Sequence, residues 1–294
     1  MTKYNISRMR NNKLVYGLFI SAASVLGIII IALLIFVSQQ GLQTFRDVNP
    51  LEFFFSSNWS PSEGSFGALS FIVGSLAVTL FSILVGGPLG VLGAIFLAKL
   101  APRWMRTIMQ PAINLYMAIP SVVYGFIGIT VIVPAVRHIF GVSGGFGIFT
   151  ASFILAIMIL PTVISISADA LSAVPPALEE GSIALGATYW QTIWHIALPT
   201  ALPGIITGVV LGMARAIGET MAVQMVIGNT PQMAKSLFSP TSTLPSEIVV
   251  EMGNTPFGSA WGNSLFLMAL VLLIISMLMI AIVRKISTYK AVKI

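Results

Sequence analysis

The 294-residue sequence contains no cysteine, so disulfides, thiol nucleophiles and Cys-ligated metals are excluded. Charge is scarce too. Asp, Glu, Lys and Arg make up 8% of the chain, against about 25% in a soluble domain whose surface faces water. The two histidines, His138 and His195, lie far apart, and no His/Asp/Glu grouping has metal-ligand spacing. No G-x-x-x-x-G-K-[ST] segment occurs, so the chain lacks a P-loop with which to hydrolyse ATP. A nucleophile–base constellation is likewise missing, which leaves a membrane-embedded enzyme the weakest reading.

What is present is apolar. Hydrophobic residues account for 56% of the chain, and the mean hydropathy is +0.96. The surface that charge cannot cover must face lipid. The net charge of +6 would suggest nucleic acid, but the basic residues sit at the ends of apolar runs, where a membrane protein needs them. Nucleic acid is not an expected partner; membrane lipid is.

Uncharged runs long enough to cross a bilayer as helices, about 20 residues, occur at Leu14–Val37, Phe71–Ala98, Thr107–Val136, Ile148–Ala168 and Leu265–Val283. A sixth, Leu202–Ile227, carries Arg215 and Glu219. The runs are continuous rather than alternating, which predicts helices and not a barrel. The fold class is therefore all-α, a polytopic protein with six transmembrane helices. The first run has 24 residues and ends in Ser38-Gln39-Gln40; a signal peptide has an apolar core of roughly 7–15 residues and a small-residue cleavage site. It reads as a retained helix, peripheral to the rest.

Lys and Arg set the orientation. Lys3, Arg8, Arg10 and Lys13 lie at one end of the chain, Lys99, Arg103 and Arg106 between the second and third runs, and Arg284, Lys285, Lys290 and Lys293 at the other end. The opposite side has Arg46, Arg137 and Lys235. Both termini are thus expected in the cytoplasm, with the segments around Trp59 and Ser242 outside. Pro88, Pro111, Pro120, Pro134 and Pro161 fall within spans; each either shapes a helix or lines a pathway that opens and closes.

The cytoplasmic segment 169–201 has almost no Lys or Arg and predicts two short helices. The first starts at Pro175-Pro176, with Glu179 and Glu180 near its N-terminus and Gly186 as its stop. The second starts at a Thr188–Gln191 capping box. Within this segment Glu180-Gly181-Ser182, then Gly186, then Ile196-Ala197-Leu198-Pro199 resemble the E-A-A-x3-G-x9-I-x-L-P loop of ABC importer permeases. Gly181-Ser182 replaces the usual Ala-Ala; both are small. The resemblance implies that Glu180, Gly181, Ser182, Ala184, Gly186, Ile196, Leu198 and Pro199 form a coupling loop that docks on an ATP-hydrolysing subunit.

Arg215-Ala-Ile-Gly-Glu-Thr-Met-Ala222, Ala118-Ile-Pro-Ser-Val-Val-Tyr-Gly125 and Gly87-Pro-Leu-Gly90 further resemble the phosphate permeases of that family, of the PstC type. The likeness covers roughly Phe66 to the C-terminus. It implies residues 1–67 as tail, first helix and first external loop, and residues 68–294 as a core permease domain. It also implies a PstA-like second permease, two ATP-binding subunits and an extracytoplasmic phosphate-binding protein. No cofactor is expected on this chain; ATP is used by the partners. The expected function is inward passage of phosphate across the cytoplasmic membrane of a prokaryote by alternating access. A permease for molybdate or sulfate is the alternative within the class, and a secondary transporter or channel the alternative outside it.

Arg215 and Glu219 are the charges expected at membrane depth. An arginine at the bilayer centre costs roughly 2.5–3.5 kcal/mol on insertion scales. The i, i+4 spacing puts both on one face of a continuous helix, where they can pair. Gly204, Gly208 and Gly212 run along nearly the same face, which predicts close contact with another helix. The pair either locks helices together or offers Arg215 to a passing oxyanion, with Glu219 orienting it.

Overall fold

The computed structural model describes the backbone of residues 3–291 and the side chains of residues 15–285. Basic residues at 3, 8, 10, 13, 290 and 293, on which part of the orientation argument rests, lie outside the described side chains.

Among the described residues the regular structure is helical apart from one small hairpin and an isolated bridge between Gly228 and Thr241. In order come α1 (Lys3–Gln43), α2 (Pro50–Phe55), the antiparallel strands β1 (Trp59–Ser60) and β2 (Ser65–Phe66), and α3 (Leu69–Ile95). Then follow α4 (Arg103–Met117), α5 (Ser121–Ile127), α6 (Val133–Phe140) and α7 (Ile148–Ser172). The last six are α8 (Pro176–Ala184), α9 (Tyr189–Thr192), α10 (Leu198–Ile217), α11 (Met221–Ile227), α12 (Leu244–Met252) and α13 (Ala260–Ala291). Among the described residues, six helical stretches are long and apolar enough to cross a membrane: Val15–Arg46, Leu69–Leu100, Ser121–Phe140, Ile148–Ser172, Tyr189–Ile217 and Ala260–Lys285.

The centre of the bundle is α7, held between α3 and α10. Small residues make this possible. A Cβ on Gly90 would lie 2.7 Å from Val163 Cβ, and one on Gly212 would lie 2.9 Å from Val163 Cγ2. Gly204 and Gly208 meet Ala170 and Ser167 of the same helix, so the glycine stripe of α10 does mark a close helix contact. By contrast α1 packs mainly on α13 and leaves most of its apolar side chains exposed, as a peripheral lipid-facing helix does.

Two spans differ from their sequence expectation. The run Thr107–Val136 is not one helix. The amphipathic α4 ends at Met117, the chain turns through Ala118–Pro120, and a new helix starts at Ser121. The residue before a proline is pushed out of the α region, and Pro120 itself takes an extended ψ of 139°. The Tyr124 hydroxyl donates to the Tyr116 carbonyl across this break, at 2.9 Å. Likewise Leu202–Ile227 breaks: α10 stops at Ile217 and α11 begins at Met221.

The prolines act unequally. Pro88, Pro111 and Pro161 stay inside helices. Pro102, Pro134 and Pro199 each follow a π-turn by two residues: Phe96–Leu100, Gly128–Ile132 and Ile193–Ala197. In each case the residue before the proline donates to the carbonyl five back, as Ala101 N–H does to Phe96 at 2.7 Å. Proline cannot donate and crowds the carbonyl four residues back, and the wider turn relieves both problems.

Candidate functional site

Segment 169–201 folds as two short helices, as expected. Pro176 opens α8, and Gly186 follows it with φ +90°, a left-handed value that glycine adopts without strain. Thr188 caps α9: the Gln191 N–H donates to Thr188 Oγ1, and the Thr188 N–H donates to Gln191 Oε1 at 2.8 Å. Among the residues of the loop motif, Glu180, Gly181, Ala184 and Gly186 are exposed. Ser182 is half-buried, with its hydroxyl 3.0 Å from that of Thr192. Ile196, Leu198 and Pro199 are half-buried at the root of α10. The eight residues thus divide into an exposed face and the root that fixes it.

Around that face lies an apolar surface: Leu178, Ile183, Leu185, Tyr189, Trp190 and Trp194 are all exposed, Leu185 by 92%. Trp190 and Trp194 form an edge-to-face pair with ring centroids 5.7 Å apart. An exposed apolar patch of this kind marks a contact with a protein partner or with lipid, and Tyr189, Trp190 and Trp194 belong to the start of the span Tyr189–Ile217.

The second site lies at the broken helices. The i, i+4 pairing expected of Arg215 and Glu219 does not form, because the helix ends between them at Ile217. Glu219 instead turns to α11, where its Oε1 accepts the Ala222 N–H at 3.3 Å. Arg215, in the last turn of α10, is half-buried and makes no hydrogen bond or ion pair with a described residue. A Cβ on Gly125 would meet Met225 and the Ala222 backbone, so α5 and α11 lie side by side, each starting at a break. Ala216, Ile217 and Glu219 line a small cavity of ≈ 10 Å³ with Val78 and Thr79 of α3 and Leu155 of α7. Val78 is nine residues into α3, or about 14 Å along it, so these groups lie within the membrane-embedded length.

Sequence reasoning missed both breaks, though signals were available. Gly218 between the two charges is a helix stop, and Pro120 restricts Ile119.

A third cluster lies on α12, whose first turn, with Thr243 and Pro245, lines the same small cavity. Glu251 accepts from the indoles of Trp59, at 3.0 Å, and Trp261, at 2.7 Å. Glu247, one turn earlier on α12, is 3% exposed, and its Oε2 has no hydrogen-bond partner. Burial chiefly pushes its carboxyl up to about 7; the Ser242 hydroxyl, close by but outside hydrogen-bond geometry, opposes this, and the Glu251 carboxylate adds to it. Because the folded value lies above the usual 4.5, the folded state holds this proton more tightly than the unfolded one. Stability from this group is fully present below about pH 4.5 and is lost as pH rises through about 7. Glu247→Gln is expected to flatten the pH dependence of thermal unfolding in detergent and to raise stability at pH 8 by about 2–3 kcal/mol. An unchanged slope between pH 5 and 8 would contradict this.

Residues 90–288 match the family described as the binding-protein-dependent transport system inner membrane component. The chain belongs to this family. It is 47% identical over 266 residues to the probable ABC transporter permease protein YqgH of Bacillus subtilis, covering 89% of this chain and 86% of that one. It is 36% identical to the phosphate transport system permease protein PstC of Mesorhizobium japonicum, over 84% of this chain and 80% of that one. In fold it resembles a permease chain of a bacterial alginate ABC transporter, solved with an alginate-bound periplasmic protein, at TM-score 0.63 and 16% identity over 97% of both chains. A chain of the inward-facing MetNI methionine ABC transporter matches at TM-score 0.57 and 21% identity, over 74% of this chain and 93% of that one. The protein is thus an ABC importer permease of the inner membrane, similar to the PstC proteins, and the six-helix all-α expectation holds.

Proposed function

We propose that this permease carries inorganic phosphate into the cytoplasm, powered by ATP hydrolysed on partner subunits. The observation that carries the reading is Arg215: a guanidinium at membrane depth, unpartnered within the described chain, in a protein similar to PstC permeases along most of its length. An unpaired arginine there is costly. A phosphate oxyanion relieves that cost, because the guanidinium fork matches two of its oxygens. The break at Gly218–Thr220 separates Arg215 from Glu219, so the arginine is not neutralised by its neighbour when the anion arrives.

In this reading Glu180, Gly181, Ala184 and Gly186 present the docking face to an ATP-binding subunit. Ser182, Ile196, Leu198 and Pro199 hold that face on α10. A PstA-like second permease completes the pathway, two ATP-binding subunits drive it, and an extracytoplasmic phosphate-binding protein delivers the anion. Both termini and α8 lie in the cytoplasm, and α12 lies outside.

The deciding experiment is reconstitution with these partners in liposomes. Phosphate is expected to stimulate ATP hydrolysis and to accumulate inside, while sulfate and molybdate do neither. Stimulation by sulfate or molybdate with none by phosphate would reassign the substrate. Accumulation without ATP would reassign the transport class. Topology is checked separately on the cysteine-free background. Leu185→Cys is expected to react with an impermeant thiol reagent from the cytoplasmic side and Asn254→Cys from the outside; Ser242 is fully buried and reports nothing. Reaction of both from one side would refute the orientation.

A further inference from the structure

Adjacent glutamates of α8 have different surroundings. Glu180 is exposed, whereas Glu179 forms an ion pair with Lys99 at the cytoplasmic end of α3. The two side chains are 20% and 9% exposed, so the pair is largely shielded from water. Exposed ion pairs contribute little to anything, but a shielded one leaves a stranded charge when either partner is removed. Lys99 lies in the π-turn Phe96–Leu100, and other side chains grip the same turn. The Tyr189 hydroxyl of α9 donates to the Lys99 carbonyl at 2.6 Å. Arg106 of α4 donates to the carbonyls of Leu97 and Ala98. At the far end of the same helix the Ser75 hydroxyl accepts the Leu244 N–H at 2.8 Å, where α12 begins. One continuous helical element therefore connects the partner-facing loop with the outer segment.

We infer that the Lys99–Glu179 pair is a positioning latch that makes α8 and α3 move as one body, delivering movement of the docking face to the outer end of the permease. The inference rests on the ABC-coupling reading above. The chain connections from α8 lead to α7 and, through α9, to α10; neither reaches α3 directly. Side-chain contacts supply the link to α3, and among them the ion pair joins it to α8 itself.

The test uses the complex reconstituted with its ATP-hydrolysing subunits. Lys99→Met and Glu179→Gln leave the exposed face intact. Basal ATP hydrolysis is expected within about twofold of the unaltered complex, while anion imported per ATP falls at least about fivefold; a fivefold loss corresponds to about 1 kcal/mol of coupling. The swap Lys99→Glu with Glu179→Lys is expected to recover most of the ratio. Lys99→Cys with Glu179→Cys is expected to be uncoupled until a short bifunctional thiol reagent bridges the two sites, and coupled afterwards. An unchanged import-to-ATP ratio in the single variants, or a bridge that arrests transport, would overturn the latch, since it would mean that the contact is dispensable or must open. Should a single variant fail to assemble, the bridged chain decides alone. If the unaltered complex imports no phosphate, the substrate assignment fails separately. The latch is then read from ATP-dependent labelling of a cysteine at Thr220, expected with the pair and lost without it.

Discussion

Arg215→Ala is expected to lower phosphate uptake by at least about a hundredfold while the complex still assembles. A charge-assisted hydrogen bond contributes about 1.5–3 kcal/mol, and a bidentate guanidinium–phosphate contact makes two, so a loss of this size follows from affinity alone. Assembly is spared because Arg215 makes no hydrogen bond or ion pair with a described residue that its removal would strand. Arg215→Lys keeps the charge without the fork and is expected to retain part of the uptake. Glu219 separates the functional from the structural reading. Its carboxylate accepts the Ala222 N–H at the start of α11, so Glu219→Gln, which keeps an acceptor oxygen, is expected to be milder than Glu219→Ala, which loses a cap worth about 1 kcal/mol. If Arg215 mattered only as a counter-ion to Glu219, replacing both by alanine would restore transport. Under the present reading the double variant stays inactive. Initial rates of labelled phosphate uptake, normalised to assembled complex, make the measurement, and wild-type-like uptake by the double variant would remove Arg215 from the mechanism.

Gly186→Val is expected to abolish productive coupling while leaving the membrane helices intact. A Cβ there would meet nothing within 4 Å, so crowding is not the difficulty; the φ of +90° is. A β-branched residue at positive φ is strained by about 1–3 kcal/mol, and the local escape is to rotate the turn that sets α8 against α9. Gly186→Asn is expected to be better tolerated, since Asn visits the left-handed region more readily. Gly181→Ala serves as the control: this glycine also has open space around it, but it lies inside α8 without a positive φ. Helicity and thermal unfolding of the purified permease are expected to match the parent for all three, while stimulated ATP hydrolysis falls for valine, falls less for asparagine and holds for Gly181→Ala. Equal activity of the valine variant would show that the turn geometry is not used in coupling.

The sequence by itself determined the solvent and the class of protein. Scarce charge and long apolar runs require a bilayer, because nothing else satisfies that much apolar surface, and continuous runs require helices because lipid offers no partner to a free backbone group. It also determined the paired short helices of segment 169–201, since a proline at N1, a left-handed glycine and a capping box are local devices read over a few residues. The tertiary structure decided what hydropathy averages away. A window that counts apolar residues sees Thr107–Val136 and Leu202–Ile227 as uniform, yet the first opens on a steric conflict at Pro120 and the second on Gly218. The break at Gly218 then decided that Glu219 serves the α11 backbone rather than Arg215, because i, i+4 neighbours face each other only while the helix between them is unbroken. Lys99 and Glu179, 80 residues apart, meet because α7 packs closely against α3 and returns the chain to its C-terminal end, and no local pattern encodes a contact made by packing.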